Sequence, residues 1–294
     1  MEITRRDFMV AASAVAAAFG WRTPATAFAA AGTELPPVVW LQGQTCSGCS
    51  ISLLNSIALL NVAELLTTTL SLKYHSTLMS GYGPDAIAAA QATKNKSGFV
   101  LVVEGAIPTA NQGKQCYLWP GLTALQGVKD YAAKAKFVLA VGTCAAYGGI
   151  SAGSPNPTVA KSLGAVVGTA RVINVPGCPT HPDWVVGTIA YLLKYGTAPA
   201  VDSYRRPLMY FKKKVHSSCP YREQDDLCLE DYGCRGKSTS GDCPIRRWNS
   251  PGTAQAGVNW CCLSGSPCHG CTEPVFPDGM SPFYAEGDDE GDDD

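Results

Sequence analysis

Cysteine is the residue type through which this chain is best equipped to do chemistry. The sequence has 294 residues, of which 13 are cysteine and 4 are histidine. Thiolates bind zinc and iron–sulfur clusters, and four of them can complete a site for either. Four cysteines of the amino-terminal part stand near glycines, which allow close approach to a bulky group; they are Cys46, Cys49, Cys144 and Cys178. This pattern predicts a metal centre held by three separate segments.

A second group of cysteines follows residue 205 and is accompanied by a histidine. Its members are His216, Cys219, Cys228, Cys234, Cys243, Cys261, Cys262, Cys268 and Cys271. Two further iron–sulfur clusters explain so many thiols more economically than several zinc ions. Disulfides are the alternative, although an odd number of cysteines leaves at least one thiol unpaired.

The segments that must position the first four cysteines alternate between short apolar runs and helical periods. The predicted strands are Val38 to Leu41, Leu70 to Tyr74, Phe99 to Val103, Phe137 to Val141 and Val172 to Val175. The predicted helices are Ile51 to Leu66, Asp85 to Ala92, Leu122 to Ala135 and Trp184 to Leu193. Such alternation is typical of βα units, so we expect an α/β domain whose parallel sheet is covered by helices on both faces.

The first four cysteines come after the carboxyl ends of predicted strands. Cys46 and Cys49 follow the first strand, Cys144 follows the fourth, and Cys178 follows the fifth. Since the carboxyl ends of parallel strands border one crevice, the four thiols should converge there. Neighbouring glycines would allow backbone amides to approach the sulfurs; these are Gly48, Gly142, Gly148, Gly149 and Gly177.

The composition changes near residue 205. Apolar runs disappear beyond this point, and glycine, proline, charged residues and cysteine become frequent. Because such a segment lacks the aliphatic side chains of a conventional core, cross-links or metal centres must stabilise it.

The amino terminus has the pattern of an export signal. Thr4-Arg5-Arg6-Asp7-Phe8 precedes a weakly apolar run from Met9 to Phe19, and small residues follow around Ala27 to Ala31. Adjacent arginines in this setting address the Tat route, which carries folded proteins. We therefore expect residues 1–31 to be a Tat signal peptide and the mature protein to be periplasmic.

Composition also argues against two classes of partner. No later run is apolar for long enough to span a bilayer, so we expect no transmembrane segment in the mature chain. A formal net charge of −1 argues against nucleic-acid binding. Residues 286–294 are nearly all acidic or glycine, which predicts a disordered tail.

Several long motifs spread over the chain occur in a fixed order. They are Trp40-Leu41-Gln42-Gly43-Gln44 before Cys46-Ser47-Gly48-Cys49, Val103-Glu104-Gly105-Ala106-Ile107-Pro108, Gly142-Thr143-Cys144-Ala145-Ala146-Tyr147-Gly148-Gly149, Pro176-Gly177-Cys178-Pro179, and Asn259-Trp260 with Cys268-His269-Gly270-Cys271-Thr272-Glu273-Pro274. Together they resemble the small subunit of periplasmic nickel–iron hydrogenases, and the likeness covers essentially the whole chain. It implies a flavodoxin-like domain over residues 35–204 and a small irregular cluster-binding domain over residues 205–285.

The resemblance implies three iron–sulfur clusters, assigned motif by motif. The proximal 4Fe–4S cluster would be held by Cys46, Cys49, Cys144 and Cys178. The distal cluster would be held by His216, Cys219, Cys228 and Cys234. The medial cluster would be held by Cys243, Cys261, Cys268 and Cys271.

The medial cluster departs from the commonest family pattern. Many members have proline at the position of Cys261 and hold a 3Fe–4S cluster there; a fourth thiolate implies 4Fe–4S, as in selenium-containing members. Cys262 competes with Cys261 as the ligand, and a 3Fe–4S cluster remains the alternative. With Cys261 as the ligand, Cys116 and Cys262 are left over as structural thiols.

The family also implies partners and an activity. This chain would pair with a nickel–iron large subunit, with or without selenocysteine, and pass electrons to a multihaem c-type cytochrome. No nickel is assigned to this chain, because Thr272-Glu273-Pro274 follows Cys271 where the large subunit has a nearby histidine. The chain alone is not expected to turn over hydrogen. The alternatives are a stand-alone iron–sulfur carrier and a disulfide-stapled secreted binding protein.

The remaining polar residues near these motifs have more modest interpretations. Glu104 either tunes the proximal site or relays protons, or else it is a solvated loop carboxylate. His75 is interpreted as a structural histidine, His181 as part of a helix start, and His269 as a spacer.

Two glycines bear on the type of proximal cluster. Gly48 and Gly149 stand where oxygen-tolerant members carry extra cysteines. A standard proximal cluster is therefore expected.

Overall fold

Five apolar runs of the sequence form one parallel sheet. The computed structural model describes residues 35–59, 61–224, 226–249 and 256–280. The strands are β1 (Pro37–Gln42), β2 (Ser71–His75), β3 (Val100–Glu104), β4 (Phe137–Val141) and β5 (Val172–Val175). Their order in the sheet is β2-β1-β3-β4-β5, and every pair is parallel. This is the flavodoxin-like order, so the predicted α/β class is confirmed.

Side chains alternate between two apolar cores on opposite faces of this sheet. In β1, Val38 and Trp40 belong to one core, whereas Val39 and Leu41 belong to the other. Because successive residues of a strand point to opposite faces, the sheet is covered on both sides. All five residues of β3 are buried, as expected for a central parallel strand.

Helices occupy the connections between the strands of the sheet, and three more follow the last strand. In chain order they are α1 (Gly48–Leu54), α2 (Val62–Glu64), α3 (Gly83–Lys96), α4 (Ala124–Lys134), α5 (Thr143–Tyr147), α6 (Gly149–Ala152), α7 (Leu163–Val167), α8 (Pro182–Tyr195), α9 (Leu208–Phe211) and α10 (Cys243–Arg246). Two small antiparallel pairs join Ile107–Pro108 to Ala160–Lys161 and Tyr117–Trp119 to Leu122–Thr123. Short 3₁₀ turns lie at Ala110–Gly113, Thr169–Arg171, His216–Ser218 and Cys262–Ser264.

The single helix predicted from Ile51 to Leu66 is wrong in its extent. Helix α1 ends at Leu54, and a separate helix begins after Asn61 and continues as a π-helical turn over Leu65–Thr69. The Asn61 side chain accepts from the Glu64 amide, while the Glu64 carboxylate accepts from the Asn61 amide. This capping box starts a new helix inside what reads as one apolar period.

The part of the chain after residue 205 has little regular structure, in agreement with its composition. Its buried apolar cluster consists of Val215, Trp260, Cys262 and Cys268. Polar contacts tie it to the sheet-containing part; among them are Trp184 Nε1 to Asp242 Oδ1 at 2.7 Å, His181 Nε2 to the Arg247 carbonyl at 2.7 Å, and the Thr143 hydroxyl to the Cys271 carbonyl. Two of the cluster's four members are thiols, so aliphatic packing contributes little to its stability.

Two predictions concern segments outside the described residues. These are the export signal of residues 1–31 and the acidic tail of residues 286–294. Within the described part of the chain, no helix combines the length and the apolar character needed to cross a membrane.

Candidate metal centres

The four thiols predicted to form the proximal site do converge at the carboxyl edge of the sheet. Cys49 lies at the start of α1, Cys144 in α5, and Cys178 after β5. Burial raises the pKa of the Cys178 thiol to about 11, with further contributions from Cys144 and Cys46. Burial likewise raises the pKa of Cys49, with smaller contributions from Glu104, Cys144 and Cys178. Each thiol therefore disfavours the thiolate form of its neighbours, which shows that the thiols lie close together. A bound cation would favour the thiolate forms.

Glycines line this set of thiols at the points where the backbone comes closest to sulfur. Gly142 has φ 84° and ψ 155°, a conformation that side chains rarely allow. A Cβ at Gly142 would lie 2.5 Å from the Cys49 sulfur. A Cβ at Gly149 would lie 3.0 Å from the Cys144 sulfur. These glycines keep the space next to the thiols free for a bulky group.

Glu104 holds the first Cys-x-x-Cys segment in place. Its carboxylate is 1% exposed, so the solvated-loop interpretation is wrong. One oxygen accepts from the amides of Cys49 at 3.1 Å and Ser50 at 3.2 Å, and from the Thr45 hydroxyl. The other oxygen accepts from Trp40 Nε1 at 3.0 Å, from Gln42 Nε2 and from the Ser50 hydroxyl. All six partners are donors, which only a carboxylate can satisfy on both oxygens.

His75 completes this buried network. The amides of Thr77 and Leu78 donate to Nδ1 at 3.1 and 3.2 Å, so the proton is on Nε2, which donates to the Ser50 hydroxyl at 3.1 Å. Burial lowers the pKa of His75 to about 4. His75 is therefore neutral at physiological pH and supports Ser50, in agreement with its structural interpretation.

His181 begins a helix, as predicted. Its Nδ1 accepts from the Asp183 amide at 3.1 Å and caps α8, while Nε2 donates to the Arg247 carbonyl at 2.7 Å. The ring packs between Trp184 and Trp248. Asp183 lies in the first turn of α8, where a negative charge is favourable.

A largely apolar cavity of about 300 Å³ contains the four thiols predicted for the medial site. Its lining includes Cys243, Cys261, Cys268 and Cys271, together with Cys178 of the proximal set. Burial raises the pKa of Cys243, with contributions from its partner cysteines, Cys271 first. Burial also raises the pKa of Cys268 to about 11. Four thiols around a largely apolar cavity fit an iron–sulfur cluster.

The indole of Trp260 supplies a second sign that this cavity holds a polar group. Trp260 lines the cavity and is 3% exposed, yet its Nε1 donates to none of the described residues. An unsatisfied buried donor costs about 1–3 kcal/mol, so such groups are rare without an additional partner. Sulfur atoms of a bound cluster would provide acceptors. His269, the predicted spacer, also lines the cavity, with Nε2 3.3 Å from the Ser266 hydroxyl.

The structure separates the neighbouring thiols Cys261 and Cys262. Cys261 lines the medial cavity, whereas Cys262 is buried with its sulfur 3.9 Å from that of Cys234. The hydrogen bond between Cys262 and Cys234 lowers the pKa of Cys234 and raises that of Cys262. The arrangement favours Cys261 as the fourth medial thiol. The contact made by Cys262 had no signal in the sequence.

The residues predicted for the distal site lie together near the surface. His216 and Cys228 line an open pocket of about 560 Å³. A Cβ at Gly236 would lie 3.5 Å from the His216 Cβ and 3.6 Å from the Cys234 sulfur. Burial raises the pKa of Cys219, with contributions from Cys234 and Cys228.

All 13 cysteines fall within the described residues, and all are free thiols. In the same part of the chain, no three His, Cys, Asp or Glu side chains are close enough to hold one metal ion. The thiols are instead spaced around larger volumes, as in the medial cavity. Cys116 is half-buried, and burial raises its pKa.

The edge of the parallel sheet, lined by thiols and glycines, and the cysteine-rich second half together fit the class of iron–sulfur proteins with a flavodoxin-like domain. Comparison with known families matches residues 46–192 to "NADH ubiquinone oxidoreductase, 20 Kd subunit". Residues 208–284 match the family of carboxyl-terminal regions of the NiFe/NiFeSe hydrogenase small subunit. The chain belongs to the small subunits of NiFe and NiFeSe hydrogenases, a family that binds iron–sulfur clusters.

Curated relatives cover nearly the whole chain. The periplasmic [NiFeSe] hydrogenase small subunit of Desulfomicrobium baculatum is 38% identical, over 97% of this chain and 99% of the relative. The periplasmic [NiFe] hydrogenase small subunit 1 of Nitratidesulfovibrio vulgaris is 40% identical, over 96% of this chain and 93% of the relative.

Solved structures agree with the sequence comparison. Recombinant [NiFeSe] hydrogenase from Desulfovibrio vulgaris Hildenborough superimposes with a TM-score of 0.79 at 38% identity, covering 87% of this chain and 99% of that one. The Desulfomicrobium baculatum [NiFeSe] hydrogenase gives a TM-score of 0.77 at 39% identity, covering 86% and 99%.

Proposed function

We propose that this chain is the electron-transfer subunit of a heterodimeric hydrogenase. The partner is a nickel–iron large subunit, with or without selenocysteine, which activates hydrogen. This chain relays electrons between that site and a periplasmic acceptor through three iron–sulfur clusters. The clusters supply the redox chemistry, and the chain positions them and sets their surroundings.

The observation that carries this proposal is the continuity of the three thiol sets. Cys178 of the proximal set lines the medial cavity and influences the pKa of Cys271. At the other end, the amide of Cys268 donates to the Cys234 sulfur at 3.3 Å. The medial set therefore adjoins both others, which is the arrangement that a relay requires.

The ligand sets follow from this continuity and from the motifs. Cys46, Cys49, Cys144 and Cys178 hold the proximal 4Fe–4S cluster. His216, Cys219, Cys228 and Cys234 hold the distal 4Fe–4S cluster. Cys243, Cys261, Cys268 and Cys271 hold the medial cluster, and the position of Cys261 in the cavity supports a 4Fe–4S rather than a 3Fe–4S cluster.

The cellular setting belongs to the same proposal. Residues 1–31 act as a Tat signal, so the chain folds and receives its clusters before it enters the periplasm. A multihaem c-type cytochrome accepts the electrons at the distal end. Nickel resides in the large subunit, and this chain alone does not turn over hydrogen.

Metal analysis of the native complex tests the proposal. The chain is tagged, purified anaerobically from its host with any bound partner, and assayed for iron and nickel. We expect three four-iron clusters in this chain in addition to the partner's iron, and nickel that follows a co-purifying larger subunit. Iron without nickel or a partner would indicate a stand-alone carrier, and a colourless iron-free protein would indicate a disulfide-stapled one.

A ligand variant tests the medial assignment. Cys261→Ala leaves three thiolates at the medial site, so we expect a 3Fe–4S signal in the electron paramagnetic resonance (EPR) spectrum of the oxidised complex. Cys116→Ala is the matched control, because Cys116 belongs to none of the three sets. An unchanged spectrum of Cys261→Ala would show that Cys261 is not a ligand.

A further inference from the structure

Cys262 is the one cysteine outside the three ligand sets that contacts a member of them within the described residues. It begins the 3₁₀ turn Cys262–Ser264, is 6% exposed, and directly follows the medial ligand Cys261. Its sulfur lies 3.9 Å from the sulfur of Cys234, within hydrogen-bond distance for a thiol. Since a disulfide brings sulfurs to about 2.05 Å, the two residues are separate thiols.

The direction of this hydrogen bond follows from the chemistry of a cluster ligand. A cysteine binds iron as the thiolate, which has no proton to donate. With Cys234 as a distal ligand, Cys262 must therefore be the donor. The Cys268 amide donates to the same sulfur at 3.3 Å. Cys234 thus accepts two hydrogen bonds, both from the segment that supplies medial ligands.

We propose that Cys262 is a positioning residue that raises the reduction potential of the distal cluster through Cys234. A reduced cluster carries one more negative charge than an oxidised one. Hydrogen bonds to its sulfurs stabilise the reduced form more strongly, and such bonds are among the factors that set cluster potentials. Because Cys262 adjoins Cys261, it also fixes the distal ligand to the medial segment. This inference rests on the proposed distal cluster.

Redox titration of the intact heterodimer, followed by EPR, tests the proposal. In Cys262→Ala the donor is lost, so the midpoint potential of the distal cluster should become more negative. In Cys262→Ser a hydroxyl donor of similar size remains, so the shift should be smaller. Cys116→Ala is the control and should leave the distal potential unchanged. Iron content and the medial EPR signal should stay at wild-type values in all three variants.

A second readout does not depend on the variants loading equally well. Transfer of the wild-type complex into D₂O should introduce deuterons coupled to the reduced distal cluster in electron–nuclear double resonance. The Cys268 amide is a second exchangeable donor to the same sulfur, so Cys262→Ala should lose one deuteron coupling and keep that of the amide, whereas Cys116→Ala should keep both.

Three results would overturn the inference, and only the last of them would also reject the proposed function. An unchanged distal potential in Cys262→Ala would remove the tuning effect alone. Loss of medial iron in Cys262→Ala or Cys262→Ser would make Cys262 a ligand instead of a donor. A wild-type complex with no distal signal would reject the three-cluster function together with this inference.

Discussion

Individual residues around the proposed cluster sites are held in place by hydrogen bonds. Glu104 is the clearest case, because its two carboxylate oxygens accept from six donors in the segment that contains Cys49 and in its neighbours. Two of those donors are the backbone amides of Cys49 and Ser50. The negative charge therefore determines the shape of the segment that supplies two proximal thiols.

Glu104→Gln should weaken the proximal site. The carboxamide presents an NH₂ group to donors, so at least one buried donor loses its acceptor, at about 1–3 kcal/mol each. We expect less proximal iron and a weaker proximal EPR signal in the purified complex. Glu64→Gln is the matched control, since glutamine also completes a capping box. Equal iron content in the two variants would contradict the proposed role of Glu104.

Trp260 allows a prediction at the medial cluster. Its buried Nε1 finds no acceptor among the described residues, and it lines the medial cavity. If the N–H donates to a cluster sulfur, Trp260→Phe should make the medial potential more negative while iron content is retained. Redox titration of the complex measures this shift. Trp119→Phe, in the other part of the chain, should have no effect; a medial potential that Trp260→Phe leaves unchanged would reject the donor assignment.

The sequence predicted which cysteines converge but not what surrounds them. The convergence of Cys46, Cys144 and Cys178 follows from topology, because strand ends of a parallel sheet share an edge. The burial of Glu104 and the contact of Cys262 with Cys234 depend on tertiary packing. Neither has a local spacing that distinguishes it from a solvated carboxylate or an inert thiol.

At the level of elements, the turns that follow the strands determine the geometry of the proximal site. Gly142 connects β4 to α5 with a positive φ and leaves no room for a Cβ beside Cys49. Gly142 alone separates the end of β4 from the start of α5, so Cys144 lies in the first turn of the helix, next to the edge of the sheet. The glycine is therefore part of the proximal site, although it has no side chain.

Gly142→Ala should remove the proximal cluster while the sheet still forms. The added methyl would lie 2.5 Å from the Cys49 sulfur, so the thiol must move. Gly121→Ala is a close control, because Gly121 has the same φ of 84° but nothing within 4 Å of an added Cβ. We expect circular dichroism like that of wild type for both, and loss of proximal iron only for Gly142→Ala. Loss of iron in Gly121→Ala as well would point to general strain.

The five predicted strands are confirmed; four of them are short, largely buried apolar runs, and β2 at the edge of the sheet buries only Tyr74 and His75. The helix predicted from Ile51 to Leu66 was wrong because its apolar period continues across an interruption. Helix α1 ends at Leu54, and the capping box of Asn61 and Glu64 then starts a new helix. The period of apolar residues identifies the buried face of a helix, whereas capping residues determine where the helix begins.

At the scale of the whole molecule, the buried Arg206 bridges Asp202, before the change of composition at residue 205, and Glu273 near the end of the described chain. Arg206 is 3% exposed, and its guanidinium binds Asp202 Oδ2 at 2.7 Å and Glu273 Oε1 at 2.9 Å. Glu273 follows Cys271, a proposed medial ligand, by two residues and also accepts from the Ser240 amide. The pair therefore anchors the medial segment to residues just after the sheet.

Arg206→Ala should destabilise the protein strongly. Removing one partner of a buried pair leaves an uncompensated charge, which costs about 3–5 kcal/mol. Arg222→Ala breaks the Arg222–Glu223 pair, whose side chains are 48% and 81% exposed, and should cost about 0–1 kcal/mol. Thermal unfolding of the loaded complex compares the two. Similar melting temperatures for both variants would show that the buried pair contributes no more than the exposed one.

The small core after residue 205 has a consequence for the life of the protein in the cell. Its buried cluster has four members in the described residues, of which Cys262 and Cys268 are thiols, and Val215 is the one aliphatic side chain. If clusters supply the remaining stability, a chain that has received no iron has an unfolded second half that proteases can cut. The amount of subunit that survives would then follow the supply of iron, so defective copies would be removed before they compete for a partner.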